Sequence, residues 1–255
     1  MQVLVGHRIS AESPHPRGLA TGVARVIDGR ALDDVEAIGK HLLLRFDGSV
    51  VLRSHLRMSG RWRVARSGTR RHGVPWLVLR GGEWEATQWN GPVLALDERP
   101  AKRLGPDLLA EATEVQGVVR RLRASDPDRL VGEALVDQRV VAGLGNMWLA
   151  EALWNARVSP WQRVGGASDD ELERALSWAR SSMRAAVAGA RPRRDVYRRA
   201  GRACRRCGTP VRSRGLGDAN RTAYWCPACQ QSGSRAKAEK EGFEPSRQGF
   251  PHLTP

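Results

Sequence analysis

The sequence contains no apolar run that approaches the length of a membrane-spanning helix. Near the start, the apolar residues Val3, Leu4 and Val5 are followed at once by Gly6 and His7, so the apolar core of a signal peptide does not develop. These two absences lead us to expect a protein of the cytoplasm, without a membrane partner.

Cysteine is scarce and unevenly placed. The chain has four cysteines, all between positions 204 and 229, in two CxxC pairs separated by eighteen residues. This excludes a disulfide framework spread over a secreted protein and again favours a reducing compartment. The spacing predicts a closed structural Zn²⁺ site formed by Cys204, Cys207, Cys226 and Cys229, with a β-hairpin between the pairs. The alternative is two redox dithiols, but no thioredoxin-like βαβ pattern surrounds them.

Acidic residues and lysine are also few. The 255 residues include 27 Asp and Glu against 42 Lys and Arg, for a formal charge of +15, and only four of the basic residues are Lys. Residues 191–214 contain ten Arg and one acid. Because arginine forks onto phosphate and carboxylate groups, this balance predicts a polyanionic partner. Hydrophobic residues at 41% and nine Trp exclude a wholly disordered chain. The length is above the typical size of one domain, so we expect two or three modules.

The first part of the chain has the pattern of antiparallel β-structure, which we interpret as a β-sandwich. Short apolar stretches alternate with turn signals such as Asp28-Gly29 and Asp47-Gly48. The predicted strands are Val23–Ile27, His41–Phe46, Val50–Leu56, Trp62–Val64, Trp76–Leu79, Trp84–Trp89 and Val93–Leu96.

After Pro106 the spacing becomes helical. We expect a short helix over Gly132–Val141 and a second over Met147–Arg157, capped by Asn146. Ser168 and Glu171 form a capping box that opens a third helix. The apolar stripe of that helix contains Leu172, Ala175, Leu176, Ala179, Met183, Ala186 and Val187. The segment after Gln231 lacks periodicity, and we expect it to be disordered.

The segment Asp137–Asn146 places a glycine-containing turn before a helix that opens with Asn146. Such a turn can present backbone N–H groups and a side-chain amide to a phosphate. Asn146 as a simple helix cap is the alternative.

Two further positions allow both a structural and a functional interpretation. Lys40 begins an apolar strand in a chain that otherwise prefers Arg, as expected where a site needs proton transfer, although a solvated strand end has the same appearance. Met58, beside Gly60 at a hairpin end, is either a wedge that enters a base stack or a buried core residue.

Together these segments resemble the formamidopyrimidine-DNA glycosylase and endonuclease VIII family of base-excision repair enzymes. The resemblance runs from about Val5 to Gln231 through GKHLLL, HLRMSG, RLGPDLL, DQRVVAGLGNMWLAEAL, VYRRAGRACRRCGT and RTAYWCPACQ. It implies an α+β multidomain chain: a β-sandwich over residues 1–105, a helix-two-turn-helix domain over 106–195 and a zinc finger over 196–231, with the disordered tail at 232–255. It also implies a monomer whose partner is damaged double-stranded DNA, gripped in the cleft between the domains, in the cytoplasm with the nucleoid.

The resemblance implies roles for four residues. Lys40 matches the lysine linked to β-elimination and phosphate contact, and Arg221 the zinc-finger arginine linked to δ-elimination. Asn146 matches the asparagine that holds the phosphate near the lesion. Met58 matches the residue that fills the gap left by the flipped base.

The sequence departs from the family pattern at two places. Met1 is followed by Gln2, Val3 and Leu4, whereas the family has a nucleophilic Pro amine followed by Glu. The Arg-Arg-Phe-Gly hairpin of the glycosylase branch is replaced by 89–92, Trp-Asn-Gly-Pro, which favours the endonuclease VIII branch.

We therefore expect a DNA glycosylase and abasic-site lyase whose start codon lies upstream. The 255-residue form is expected to bind abasic-site DNA without forming a borohydride-trapped adduct. The alternative is a non-catalytic damaged-DNA-binding protein that lost the nucleophile. A zinc-ribbon protein of transcription or translation is disfavoured by the GLGN helix pair.

Overall fold

The computed structural model describes residues 1–217 and 220–231, so the expected disorder of 232–255 lies outside the described residues. The chain divides into two compact units. The first contains Met1–Val118 and Val136–Gly145, and the second contains Val119–Leu135 and the described chain from Asn146 onward. In the described part of the chain, no helix is long and apolar enough to cross a membrane.

The first unit contains two four-stranded antiparallel sheets. The strands of the described chain, in order, are β1 (Ser10–Glu12), β2 (Leu32–Ile38), β3 (His41–Phe46), β4 (Val50–His55), β5 (Arg61–Arg66), β6 (Leu77–Gly81), β7 (Trp84–Trp89), β8 (Val93–Ala95), β9 (Arg212–Leu216) and β10 (Arg221–Trp225). One sheet has the order β1-β6-β7-β5 and the other β2-β3-β4-β8, while β9 and β10 form a separate hairpin.

Both sheets contribute to one apolar core, which confirms the predicted sandwich. Leu44 and Leu52 from one sheet and Leu77 and Leu79 from the other are fully buried in the same cluster. The register pairs Leu44 with Leu52 across β3 and β4, so these two side chains lie on the same face of the sheet. The turn between these strands uses Gly48 at φ 68°, as the Asp-Gly signal predicts.

The helices of the described chain are α1 (Pro16–Leu19), α2 (Val23–Ile27), α3 (Arg99–Lys102), α4 (Val115–Arg123), α5 (Val131–Val136), α6 (Asn146–Ala156) and α7 (Asp169–Val187). The prediction of a strand over Val23–Ile27 was wrong, because this segment is α2. Val23 and Ile27, four residues apart, are both buried in the sandwich core, which is the spacing of one helical face. A five-residue apolar run does not distinguish a strand from such a helix.

One predicted helix ends earlier than expected, and another buries only part of its predicted apolar stripe. The helix over Gly132–Val141 stops at Val136, because the Asp137 carboxylate accepts the backbone N–H of Arg139 and the chain turns there. The third helix, α7, has the predicted capping box, with Glu171 N–H donating to Ser168 Oγ at 3.2 Å and Ser168 N–H to Glu171 Oε2 at 2.8 Å. Its apolar stripe is buried as far as Met183, whereas Val187 is 79% exposed.

In the second unit, α6 packs against the cysteine hairpin. The predicted hairpin between the cysteine pairs is formed by β9 and β10, with Arg221 opposite Leu216. Ala150 and Trp154 of α6 share a buried cluster with Cys204, Val211 and Cys226. The hairpin therefore depends on α6 as well as on its cysteines for a packed interior.

Candidate functional site

Lys40 lies at the turn between β2 and β3, and its side chain reaches the Gly143–Gly145 turn within the first unit. Its Nζ donates to the Leu144 carbonyl at 2.8 Å. Gly39, at φ 60°, gives the backbone this direction, and its N–H donates to Asp107 Oδ2 at 2.7 Å. A Cβ on Gly39 would lie 3.2 Å from the Gly143 nitrogen, so a larger residue would crowd the turn. Lys40 is exposed at the strand end, as the structural alternative expected, but its ammonium group is held by the turn.

Gln138 also forms hydrogen bonds with this turn. Its Nε2 donates to the Leu144 carbonyl at 2.9 Å, and its Oε1 accepts the Gly143 N–H at 3.1 Å. The Leu144 carbonyl therefore accepts from both Gln138 and Lys40. Gln138 belongs to the Asp137–Asn146 segment, but the sequence pattern predicts no role for it. No local feature of the sequence shows that its amide binds a turn six residues later.

Asn146 is the first residue of α6, immediately after this turn. Its Nδ2 donates to the backbone carbonyl of Thr222 at 2.8 Å, within the second unit. Asn146 therefore connects the start of α6 to β10, a contact that spans 76 residues of sequence and is not a local helix cap. The carbonyl belongs to the residue next to Arg221, so the hydrogen bond fixes the strand position of that arginine.

Arg221 lies at the start of β10 and is exposed. The preceding arginine-rich segment is only partly neutralised, since Asp195 pairs with Arg193 at 2.9 Å and with Arg205 at 3.4 Å. The second unit thus presents several guanidinium groups near the hairpin, as a phosphate-binding surface requires.

Met58 is 88% exposed in the turn between β4 and β5, which excludes the buried-core interpretation. Arg57 has φ 52°, and its N–H donates to His55 Nδ1 at 3.1 Å, so the turn has a defined conformation. A Cβ on Gly60 would lie 2.6 Å from the Leu56 carbonyl oxygen, which explains the glycine there. A long apolar side chain held outward on a tight turn has the form expected of a wedge.

Two histidines lie beside Lys40 on neighbouring strands. His41 and His55 are opposite each other in the β3–β4 register, with ring centroids 4.8 Å apart. Burial, reinforced by the positive charges of His55 and Arg53, lowers the pKa of His41 to about 4. Burial also lowers the pKa of His55, together with the neighbouring charges of Arg57 and Lys40. Both rings are therefore neutral near pH 7.

The four cysteines converge in the second unit. Their Sγ atoms lie within 4.8 Å of one another, with Cys204 to Cys229 at 3.9 Å and Cys207 to both Cys226 and Cys229 at 3.4 Å. Tetrahedral zinc with bonds of about 2.3 Å places its sulfurs about 3.8 Å apart, so the observed separations match that cation.

The protonation of these thiols also suits a metal. Hydrogen bonds with Thr209 lower the pKa of Cys207 to about 6, whereas burial and the neighbouring thiols raise the pKa of Cys229 to about 12. These opposite shifts would leave the two thiols in different protonation states near pH 7. A bound divalent cation would stabilise all four cysteines as thiolates. The donor set therefore fits a structural metal, with no redox dithiol required.

Glu151 is a buried residue of the second unit that sequence reasoning missed. Its carboxylate accepts the backbone N–H groups of Asp195, Val196 and Tyr197 at 2.9, 3.1 and 2.8 Å, and the residue is 1% exposed. The single acid within the EAL stretch therefore fixes the segment that leads from α7 to the cysteines. A buried carboxylate requires such partners.

Residues 1–89 match the family model described as the formamidopyrimidine-DNA glycosylase N-terminal domain, and residues 104–194 match the model of the H2TH domain of the same enzyme. The chain is 37% identical over 240 residues to "Probable endonuclease 8 2" of Streptomyces coelicolor, covering 87% of each sequence. The chain belongs to the formamidopyrimidine-DNA glycosylase and endonuclease VIII family. The predicted family is confirmed, and the relative's name agrees with the endonuclease VIII branch.

Other members of the family are similarly close. "DNA-(apurinic or apyrimidinic site) lyase Nei2" of Mycolicibacterium smegmatis is 35% identical over 217 residues, which is 80% of this chain and 84% of the relative. Among solved structures, the fold matches Lactococcus lactis Fpg in a complex with abasic-site DNA, with a TM-score of 0.72, 23% identity and coverage of 91% of this chain and 95% of that chain. This structural match supports the α+β fold.

Proposed function

We propose that this protein is a base-excision repair DNA glycosylase that removes oxidised bases from duplex DNA and cleaves the strand at abasic sites. The observation that carries the proposal is the 2.8 Å hydrogen bond from Lys40 Nζ to the Leu144 carbonyl. It attaches Lys40 to the turn that leads into Asn146, in a chain of this family. The names of the relatives support the same activity.

Lys40 is assigned to contact with a phosphate beside the damaged nucleotide and to proton transfer in β-elimination. An ammonium group is a compact point donor, and unlike a guanidinium it can also exchange its proton. The neutral rings of His41 and His55 border this position without adding competing cations.

Asn146 and Arg221 are assigned to phosphate contacts in the second unit. The Asn146 amide is positioned by the Thr222 carbonyl, and Arg221 is the adjacent residue of β10. We also assign to Arg221 the δ-elimination step, in which a guanidinium near the 5′-side phosphate stabilises the leaving group. Met58 fills the stack vacated by a flipped base, which offsets part of the few kcal/mol that base flipping costs.

Cys204, Cys207, Cys226 and Cys229 are assigned to one Zn²⁺ ion. Four thiolates close the coordination sphere, so the ion stabilises the hairpin that carries Arg221 and takes no part in the chemistry. We further infer that the protein acts as a monomer on DNA in the cytoplasm, with segments 1–105, 106–195 and 196–231 as its working modules.

The test is cleavage of an end-labelled duplex that contains one abasic site. General acid and base groups contribute about 10²–10⁴-fold to rates, so Lys40→Ala is expected to lower cleavage by at least about 100-fold. Lys102→Ala is the matched control, because Lys102 is an exposed lysine paired with Glu98. Measurable cleavage by the wild type that Lys40→Ala retains in full would refute the assignment.

A second candidate is a non-catalytic protein that binds damaged DNA. It uses the binding residues Met58, Asn146 and Arg221, which both candidates share, and needs no nucleophile. Borohydride trapping separates the candidates. Selective binding of abasic DNA with neither cleavage nor a trapped adduct, by this chain and by a form extended upstream of Met1 alike, supports the second candidate. An adduct with either form supports the glycosylase.

A further inference from the structure

A groove of about 240 Å³ lies between α6, α7 and the segment of residues 190–195, within the second unit. None of the residues that line this groove has been assigned a role in the proposed function. Trp148 and Trp178 form its aromatic surfaces, Arg191 and Arg193 supply positive charge, and Ser182 and Asp195 supply polar atoms.

The two tryptophans reach the groove because of their places on the helices. Ala150 of α6 packs in the hairpin cluster, whereas Trp148, two positions earlier, lines the groove. On α7, Ala175 and Ala179 are buried while Trp178 is half-buried. Both indoles therefore retain accessible area, although each belongs to an element whose other faces are covered.

The third wall of the groove is fixed in position. Glu151 accepts the N–H groups of Asp195 and the two residues after it, and Arg193 Nε donates to Asp195 Oδ1 at 2.9 Å. A surface held in this way needs little reorganisation when a ligand binds. Arg191 and Arg193 are both exposed, and their charge has the sign that attracts phosphate.

We propose that this groove binds one unpaired nucleobase together with its phosphate. The volume lies below the range of about 300–1,000 Å³ typical of sites for drug-sized ligands, which suits a single heterocycle. Indole faces stack on any base, guanidinium groups bind the phosphate, and Ser182 and Asp195 meet polar atoms of the base edge.

The base has two possible sources, an unpaired nucleotide of the bound DNA or a free nucleotide. The first source rests on the proposed function, because it needs the protein to bind duplex DNA. The second does not, so an experiment with both probes separates failure of the groove from failure of the proposed function.

The first arm compares three duplexes of one sequence: fully paired, with a tetrahydrofuran abasic analogue, and with one unpaired adenine. A base-to-aromatic stack is worth about 1–3 kcal/mol, so Trp178→Ala is expected to weaken binding of the unpaired-adenine duplex about 5–150-fold. Binding of the paired duplex should change less than about twofold, because it offers no loose base to the groove, and the abasic-analogue duplex, whose opposite base is unpaired, should lie between the two. Trp178→Phe should restore most of the affinity, and Trp84→Ala, at a half-buried tryptophan of the first unit, is the control.

The second arm titrates deoxyadenosine monophosphate into the protein without DNA, in wild type and in Trp178→Ala. Loss of nucleotide binding in the variant supports the groove even where duplex binding fails, and it identifies the free nucleotide as the source. Equal losses on all three duplexes would show a merely structural role for Trp178. That result, or unchanged binding of both the unpaired-adenine duplex and the nucleotide, would overturn the proposal.

Discussion

The side-chain amide of Asn146 donates to the backbone carbonyl of Thr222 at 2.8 Å, which connects the first residue of α6 to β10 of the cysteine hairpin. Asn146 follows the turn that Lys40 and Gln138 hold, and Thr222 follows Arg221. The hydrogen bond therefore joins Asn146 to the residue next to Arg221, the other residue of the second unit assigned to phosphate contact.

We predict that Asn146→Ala lowers affinity for abasic-site DNA much more than Ser168→Ala. Ser168 caps α7 with Glu171, so its loss should cost about 0.5–2 kcal/mol of stability and leave DNA binding unchanged. Asn146→Asp should bind DNA more weakly still, because a carboxylate cannot donate to Thr222 and repels phosphate. Fluorescence anisotropy and thermal unfolding measure the two effects. Equal falls in melting temperature with equal, small effects on DNA affinity would show that Asn146 is only a structural residue.

We predict that Arg221→Ala weakens binding to every duplex sequence by a similar factor. A phosphate contact releases condensed counterions, so removing one should reduce the slope of log K against log salt concentration by about 0.9. Arg25→Ala is the control, because it removes the same charge from an exposed position of α2. A loss confined to particular sequences, or the same change of slope in Arg25→Ala, would contradict a phosphate role for Arg221.

Metal analysis should find one equivalent of zinc, held by the four cysteines whose Sγ atoms lie within 4.8 Å of one another. Chelation should lower the melting temperature of the second unit and the affinity for DNA, because the hairpin that carries Arg221 loses its support. Adding zinc back should restore both. Protein prepared without zinc that has the same melting temperature and DNA affinity would contradict the assignment.

Stability should fall as the pH is lowered from 6.5 towards 4, partly because of His41. Its pKa is about 4 in the folded chain and 6.5 in the unfolded reference, so in this range the unfolded chain binds a proton that the folded chain does not. The contribution is fully present above pH 6.5 and is lost progressively as the pH falls towards 4. In His41→Leu the fall of melting temperature between pH 7 and pH 4.5 should be smaller, while the exposed-site control His72→Gln should behave as wild type. An unchanged pH dependence in His41→Leu would contradict this account.

Local signals predicted much of the fold. The strands His41–Phe46 and Trp84–Trp89, the Ser168 capping box and the hairpin between the cysteine pairs all follow from alternation, capping or spacing, which act over a few residues. The segment Val23–Ile27 was misassigned because five apolar residues fit either a strand or one helical turn, and only packing against the core decides.

The contacts that define the site are nonlocal and could not be predicted from pattern. Lys40 meets Leu144 across 104 residues, and Asn146 meets Thr222 across 76. Glu151 resembles an ordinary helix residue in the sequence, yet three backbone N–H groups from residues 195–197 converge on it. Residue type indicated what each group can do, but only the fold shows what holds it in place.

Both candidate functions require that this chain recognises damage in duplex DNA. The most direct test is the affinity of the 255-residue chain for a duplex with one abasic site, relative to the same duplex intact, at one fixed salt concentration. We expect a preference for the abasic duplex of at least tenfold, about 1.4 kcal/mol. The preference should shrink in Met58→Ala, which removes an 88% exposed side chain and should leave the melting temperature unchanged. Equal affinity of the wild-type chain for the two duplexes would contradict the claim.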